Sequence, residues 1–147
     1  MSDKVRVTVT RQERYRFVVD FGSTIAEAEC DEPPPLGDGA GPSPSQLLAA
    51  AIANCLSSSL VFATNKFKED PGHLATKVTC EIGRNDKNRL RILGMQVEMT
   101  LGAAPESLRH LERALAQFED FCTVSQSVRT GIPFTVTVKG PDGRVLK

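Results

Sequence analysis

Apolar and polar residues alternate from Val5 to Thr10 (Val-Arg-Val-Thr-Val-Thr), the period-2 pattern of a strand with one buried face. Arg11 to Arg14 is polar and predicts a turn. Tyr15 to Phe21 predicts a second strand and Ile25 to Cys30 a third, together a meander. Periodicity then stops. Residues 31–42 read Asp-Glu-Pro-Pro-Pro-Leu-Gly-Asp-Gly-Ala-Gly-Pro. Prolines remove donors and fix φ while glycines loosen the chain, so this is a loop of about a dozen residues. It reads equally as a functional loop and as a crossover from sheet to helix.

Ser43-Pro-Ser-Gln46 opens a helix. Ser43 caps, Pro44 suits the first helical position, and Gln46 closes a reciprocal capping box. The helix is predicted to run to about Lys68, with Pro71-Gly72 ending it. It is apolar or small on nearly every side, which predicts burial all round. Gln46, Asn54, Ser57, Ser58, Ser59 and Thr64 are too many polar groups for a lone membrane span.

Alternation resumes from Leu74 to Gly83, with Val78, Cys80 and Ile82 on one face. Arg84 to Arg89 is a charged hairpin connection. Leu90 to Leu101 is the next strand, with Met95, Val97, Met99 and Leu101 in phase. A second helix is predicted from Pro105 and Glu106, its stripe formed by Leu108, Leu111, Leu115 and Phe118. A short third helix spans about Cys122 to Arg129, with Gly131 as its C′ residue. Pro133 to Lys139 predicts a closing strand and Gly140 to Gly143 a turn. The order βββ–α–ββ–αα–β is α+β, with antiparallel meander sheets around a long central helix. At 147 residues, without repeats or a linker, residues 1–147 are expected to form one domain.

Net charge is zero, which gives no support to nucleic-acid or anionic-membrane partners. Met1 to Val7 has no apolar core of signal-peptide type, so the expected compartment is the cytosol. There a disulfide is more often transient and catalytic than structural. The four cysteines, at 30, 55, 80 and 122, form neither a CxxC pair nor zinc-knuckle spacing, and no metal or cofactor is expected.

Cys55 lies in the uncharged stretch 44–63, about 12 residues into its helix and roughly 17 Å from its start. Its own helix dipole fades well before that point, and burial alone would make it inert. Any stabilising cation must come from elsewhere; Arg14 and Arg16 on the early hairpin are candidates, as is Arg11. Cys122, at a helix start, would be favoured as thiolate by free backbone donors. Local physics alone therefore selects Cys122 as the attacking thiol. Against these stand plainer readings: Cys55 as a small core hydrophobe and Cys122 packing beside Phe118 and Phe121. Cys80 reads as core and Cys30 as a strand end. His73 falls in a turn and His110 on a solvated helix face, and neither is a catalytic candidate.

Gly41-Pro-Ser-Pro-Ser-Gln-Leu-Leu-Ala-Ala-Ala-Ile-Ala-Asn-Cys55, together with Phe121-Cys-Thr-Val-Ser-Gln-Ser-Val-Arg-Thr-Gly-Ile-Pro-Phe-Thr-Val-Thr-Val138, resembles the OsmC/Ohr family. The resemblance covers nearly the whole chain. It implies an intertwined homodimer and a cofactor-free thiol peroxidase acting on organic hydroperoxides in oxidative-stress defence. By it Cys55 is the peroxidatic thiol and Cys122 the resolving one. Arg14 or Arg16 would hold the thiolate and polarise the peroxide, and a dithiol would be the reductant. This reverses the order that local physics selects. Relatives carry a glutamate after the second motif proline that orients the arginine, and this chain has Ser45. Serine is short and uncharged and cannot make that ion pair, which marks a divergent branch. The alternative it favours is a non-catalytic small-ligand or thiol-binding module. The apolar residues Leu48, Ile52 and Phe62 near Cys55 suggest a small, apolar hydroperoxide as substrate.

Overall fold

The computed structural model describes residues 2–147. Three strands, β1 (Thr8–Glu13), β2 (Arg16–Asp20) and β3 (Ala28–Cys30), form an antiparallel sheet in the order β1-β2-β3. The meander is as expected, but β1 extends through the predicted turn. The turn is Arg14-Tyr15, with Arg14 at φ 45. Every residue of β1 is exposed, so its alternation marks no buried face in this chain.

The long helix α1 (Pro44–Asn65) begins as the residues dictate. Ser43 Oγ accepts from the Gln46 amide at 3.3 Å, and Gln46 Oε1 accepts from the Ser43 amide at 2.9 Å. Ile52, Leu56, Ser59, Leu60, Ala63 and Thr64 are buried. The prediction of burial all round is corrected. Ala51, Asn54, Ser58, Val61 and Phe62 are exposed, because one two-stranded sheet and the late helices cover only one side of a 22-residue helix. Its length and mean hydropathy of 1.8 are those of a membrane crossing, but its buried stripe packs on protein.

The second sheet is the hairpin β4 (Ala75–Arg84) and β5 (Leu90–Thr100), joined by the charged turn. Ile82 pairs with Ile92 and Glu81 with Gly94, so Leu93 is one residue extra, a β-bulge. Across the bulge the half-buried positions of β5 switch parity, from Ile92 to Met95 and Met99, while Val97 stays exposed. Val78, Met95 and Met99 thereby reach a core of Ile52, Leu56 and Cys122.

The predicted second helix is broken. A single 3-10 turn, Pro105–Ser107, precedes α2 (Leu111–Gln117), and another, Phe118–Phe121, follows it. The cause is a long-range capture: Glu69 accepts from the His110 amide at 3.2 Å and meets its ring Nδ1 at 2.7 Å. His110 also stacks on Phe67, and its side chain, 44% exposed, keeps the solvent access expected of it. Leu108 and Ala114 are buried, whereas Leu115 is 46% exposed and lies off the core stripe. Helix α3 (Thr123–Thr130) ends at Gly131, whose φ of 77 suits a residue without Cβ.

The predicted closing strand is also corrected. Residues 133–138 belong to no sheet, and only an isolated bridge joins Lys139 to Val145. Ile132, Phe134, Val136 and Val138 alternate as a strand would, yet all are exposed, and among the described residues no strand pairs with them.

Candidate functional site

Cys122 stands immediately before α3 and serves as its N-cap, with its Sγ accepting from the Ser125 amide at 3.4 Å. Sulfur here takes the place an oxygen usually fills. The side chain is fully buried, at 0% exposure. Cys55, in the middle of α1, is half-buried and meets Cys122 thiol to thiol. Both cysteines are reduced. The two sulfurs expected to be neighbours are neighbours.

Their surroundings differ. Burial pushes the Cys55 thiol up, with Cys122 adding to the rise, and the amides of Val124 and Thr123 offset this only in part. Burial also acts against the Cys122 thiolate. There it is outweighed by the Ser125 hydroxyl, the Cys55 thiol, the Ser125 amide and Ser59, so Cys122 sits below the ordinary thiol range. The Ser125 amide makes the one amide–sulfur bond of good geometry; the amides of Thr123 and Val124 act on Cys55 more loosely. Ser125 Oγ is buried without a well-formed partner, which leaves its hydrogen free to turn to the neighbouring sulfur. The first-turn amides of α3 thus serve both sulfurs. A dipole absent from Cys55's own helix reaches it from another.

Cys55 opens to a shallow cavity of about 400 Å³ lined by Ser58, Ser59, Phe62 and Phe121. The two phenyl rings pack edge to face at 5.1 Å, and Lys66 Nζ lies 4.8 Å from the Phe121 centroid. Of the apolar residues expected near Cys55, Phe62 lines this opening. Leu48 and Ile52 do not; they line a separate cavity of about 620 Å³ with Leu56, Met95 and Val128.

The arginines lie elsewhere. Arg14 Nη1 meets Asp38 Oδ1 at 2.8 Å and Nη2 donates to the Leu36 carbonyl at 3.1 Å. Arg16 lies between Glu13 at 3.3 Å and Glu29 at 3.5 Å. Arg11 Nε donates to the Arg14 carbonyl. Among the described residues no arginine lines the opening at Cys55. The three-stranded sheet sits against the start of α1, near Pro44 and Leu47. Cys55 is about 16 Å farther along the helix axis. The folded chain does not bring Arg14 or Arg16 to the sulfur.

The loop that meets Arg14 is built. Buried Asp31 accepts from the amides of Glu32, Asp38 and Ala40 at 2.9, 3.0 and 3.1 Å. The Ala40 amide, followed by those of Asp38 and Glu32 and the charge of Arg16, holds its carboxyl below the usual range against the opposing effect of burial. A Cβ on Gly37 would collide with the Glu32 carbonyl and the Asp31 carboxylate. Ser45 lies beside Pro33, Leu36 and Ile92, with no guanidinium among its cavity neighbours except Arg91. The carboxylate that holds Arg14 is therefore Asp38, from the loop.

Sequence reasoning found both thiols and missed Ser59 and Ser125. A signal was present for each: Ser59 is one helical turn beyond Cys55, and Ser125 is the N3 residue of a helix capped by Cys122. Cys30 is buried at the end of β3, and Cys80 is half-buried opposite Met95.

A family model described as OsmC-like protein matches residues 37–137. No curated protein matches at a significant level. Among solved structures, an OsmC like protein from Mycoplasma pneumoniae is 13% identical with TM-score 0.71, over 88% of this chain and 89% of that one. An organic hydroperoxide resistance protein OsmC from Legionella pneumophila is 17% identical with TM-score 0.68, over 86% and 90%. An organic hydroperoxide resistance protein from Elizabethkingia anophelis is 20% identical with TM-score 0.65, over 90% and 92%. At these identities the likeness carries the fold.

Proposed function

Because the chain belongs to the OsmC-like proteins, a family that includes organic hydroperoxide resistance proteins, we propose that it is a cofactor-free thiol peroxidase for small, apolar organic hydroperoxides. The observation that carries this reading is the pairing of an open thiol, Cys55, with a buried thiol, Cys122, beneath an opening walled by Phe62 and Phe121. Cys55 Sγ attacks the terminal peroxide oxygen; an S–O bond forms, the O–O bond breaks, and the alcohol leaves. Cys122 then attacks the resulting sulfenic acid and expels its oxygen as water, leaving a disulfide. A dithiol restores the pair by exchange in the reducing cytosol.

We read the working unit as a homodimer. Arg14 is held outward by Asp38, as a guanidinium offered to a second protomer would be. It would polarise the peroxide there, with Asp38 supplying the orienting charge that Ser45 lacks.

Stopped-flow consumption of cumene hydroperoxide with a dithiol tests the reading. Turnover is expected, with loss of at least about a thousandfold in kcat/KM for Cys55→Ser. Equal rates in the two proteins would end it. Ser45 favours a second reading, a ligand-binding module without turnover. Intact mass after mild peroxide separates the two: loss of about two hydrogens marks the disulfide, and its absence favours the module.

A further inference from the structure

The larger cavity, of about 620 Å³, shares no lining residue with the opening at Cys55. Its walls are of two kinds. Leu48, Ile52 and Leu56 come from α1 at intervals of four, a single helix stripe. Val97 comes from β5. By strand alternation it shares the face of Met95 and Met99, yet it is 38% exposed, because space rather than a side chain lies beside it. The polar wall is α3. Ser125 and Arg129 line the cavity from one face of that helix, a turn apart. Ser125 is 6% exposed, and its Oγ has no well-formed hydrogen-bond partner. A buried hydroxyl left so costs free energy until something bonds to it. Arg129 donates from Nη2 to Glu119 at 2.7 Å; among the described residues its Nε and Nη1 meet no acceptor. Glu119 thus holds the guanidinium by one nitrogen and leaves its other donors free.

We infer that this cavity binds an aliphatic carboxylate, its head between Ser125 and Arg129 and its chain along the stripe of Leu48, Ile52 and Leu56. Ser125 and Arg129 are about 6 Å apart along the helix axis, a gap that one carboxylate closes. It accepts from the Ser125 hydroxyl and from the free donors of the guanidinium. The stripe spans about 12 Å, the reach of an extended chain of about ten carbons. A cavity of this volume, apolar on most sides and polar on one, suits a small amphiphile. A cationic head would meet Arg129, and a wholly apolar molecule would leave Ser125 unpaired. The site is independent of the hydroperoxide reading and holds whether or not the thiols turn over.

Decanoate titrated into the reduced 147-residue chain, followed by methyl and aromatic NMR, tests this. Saturable shifts are expected at the methyls of Leu48, Ile52 and Val97, and none in the rings of Phe62 and Phe121. Arg129→Gln should weaken decanoate about tenfold and leave uncharged 1-decanol unaffected. That side chain is 62% exposed, so the variant should fold as the wild type does. Val97→Phe grows into the cavity and should abolish binding of both compounds. Absence of saturable shifts with decanoate would overturn the inference, as would shifts centred on Phe62 and Phe121. Decanoate and decanol responding alike to Arg129→Gln would do the same. So would Val97→Phe converting a two-chain species into a one-chain species in sedimentation, because the cavity would then be a seat for a second copy. Decanoate carries no peroxide, so none of these results bears on cumene hydroperoxide turnover.

Discussion

Both members of the Arg14–Asp38 pair are more than half exposed. Water screens such a pair, which contributes about 0–1 kcal/mol to stability. If it has a use, that use is placement: the carboxylate and the Leu36 carbonyl fix where the guanidinium points. Asp38→Asn should therefore leave the urea midpoint nearly unchanged while lowering kcat/KM for hydroperoxide by about tenfold, and Arg14→Met should lower it further. Arg16, engaged by Glu13 and Glu29, should tolerate replacement by Met with little loss. Equal losses at Arg14 and Arg16 would refute this assignment. At this scale the sequence marked the two facing thiols. Cys55 and Cys122 were legible as two thiols in unusual settings, and the donor preference for Cys122 followed from its helix start. Asp38 was not legible, because its partner lies 24 residues away and only the folded loop brings them together.

Helix α1 was legible almost to the residue at its start, where Ser43, Pro44 and Gln46 each do a local job. Ser43→Ala removes an acceptor for the Gln46 amide and should cost about 1 kcal/mol, seen as a lower urea midpoint at unchanged slope. A change within error would mean that tertiary packing alone fixes the helix end. Elements set by distant partners were harder to read. The break at His110 comes from Glu69, 41 residues earlier, and no local propensity announces it. The bulge at Leu93 left a trace, since apolar positions switch parity between Ile92 and Met95. Alternation indicates which residues want cover; it does not say what supplies it.

That limit is plainest for the molecule as a whole. Ile132 is 58%, Phe134 84% and Val136 60% exposed, in a segment whose period is that of a strand. An unpaired apolar strand is a template for another chain. Phe134→Lys combined with Val136→Lys should convert a two-chain species into a one-chain species in sedimentation. A wild type that sediments as one chain at all concentrations would remove the dimer reading. The complete burial of Cys122 has a consequence of its own. On the peroxidase reading, a dithiol approaching the Cys55–Cys122 disulfide would reach it only at the Cys55 sulfur, with Cys122 as the leaving group. Oxidant and reductant would then share a single doorway in turn. The kinetics should be ping-pong, with each co-substrate at high concentration crowding out the other.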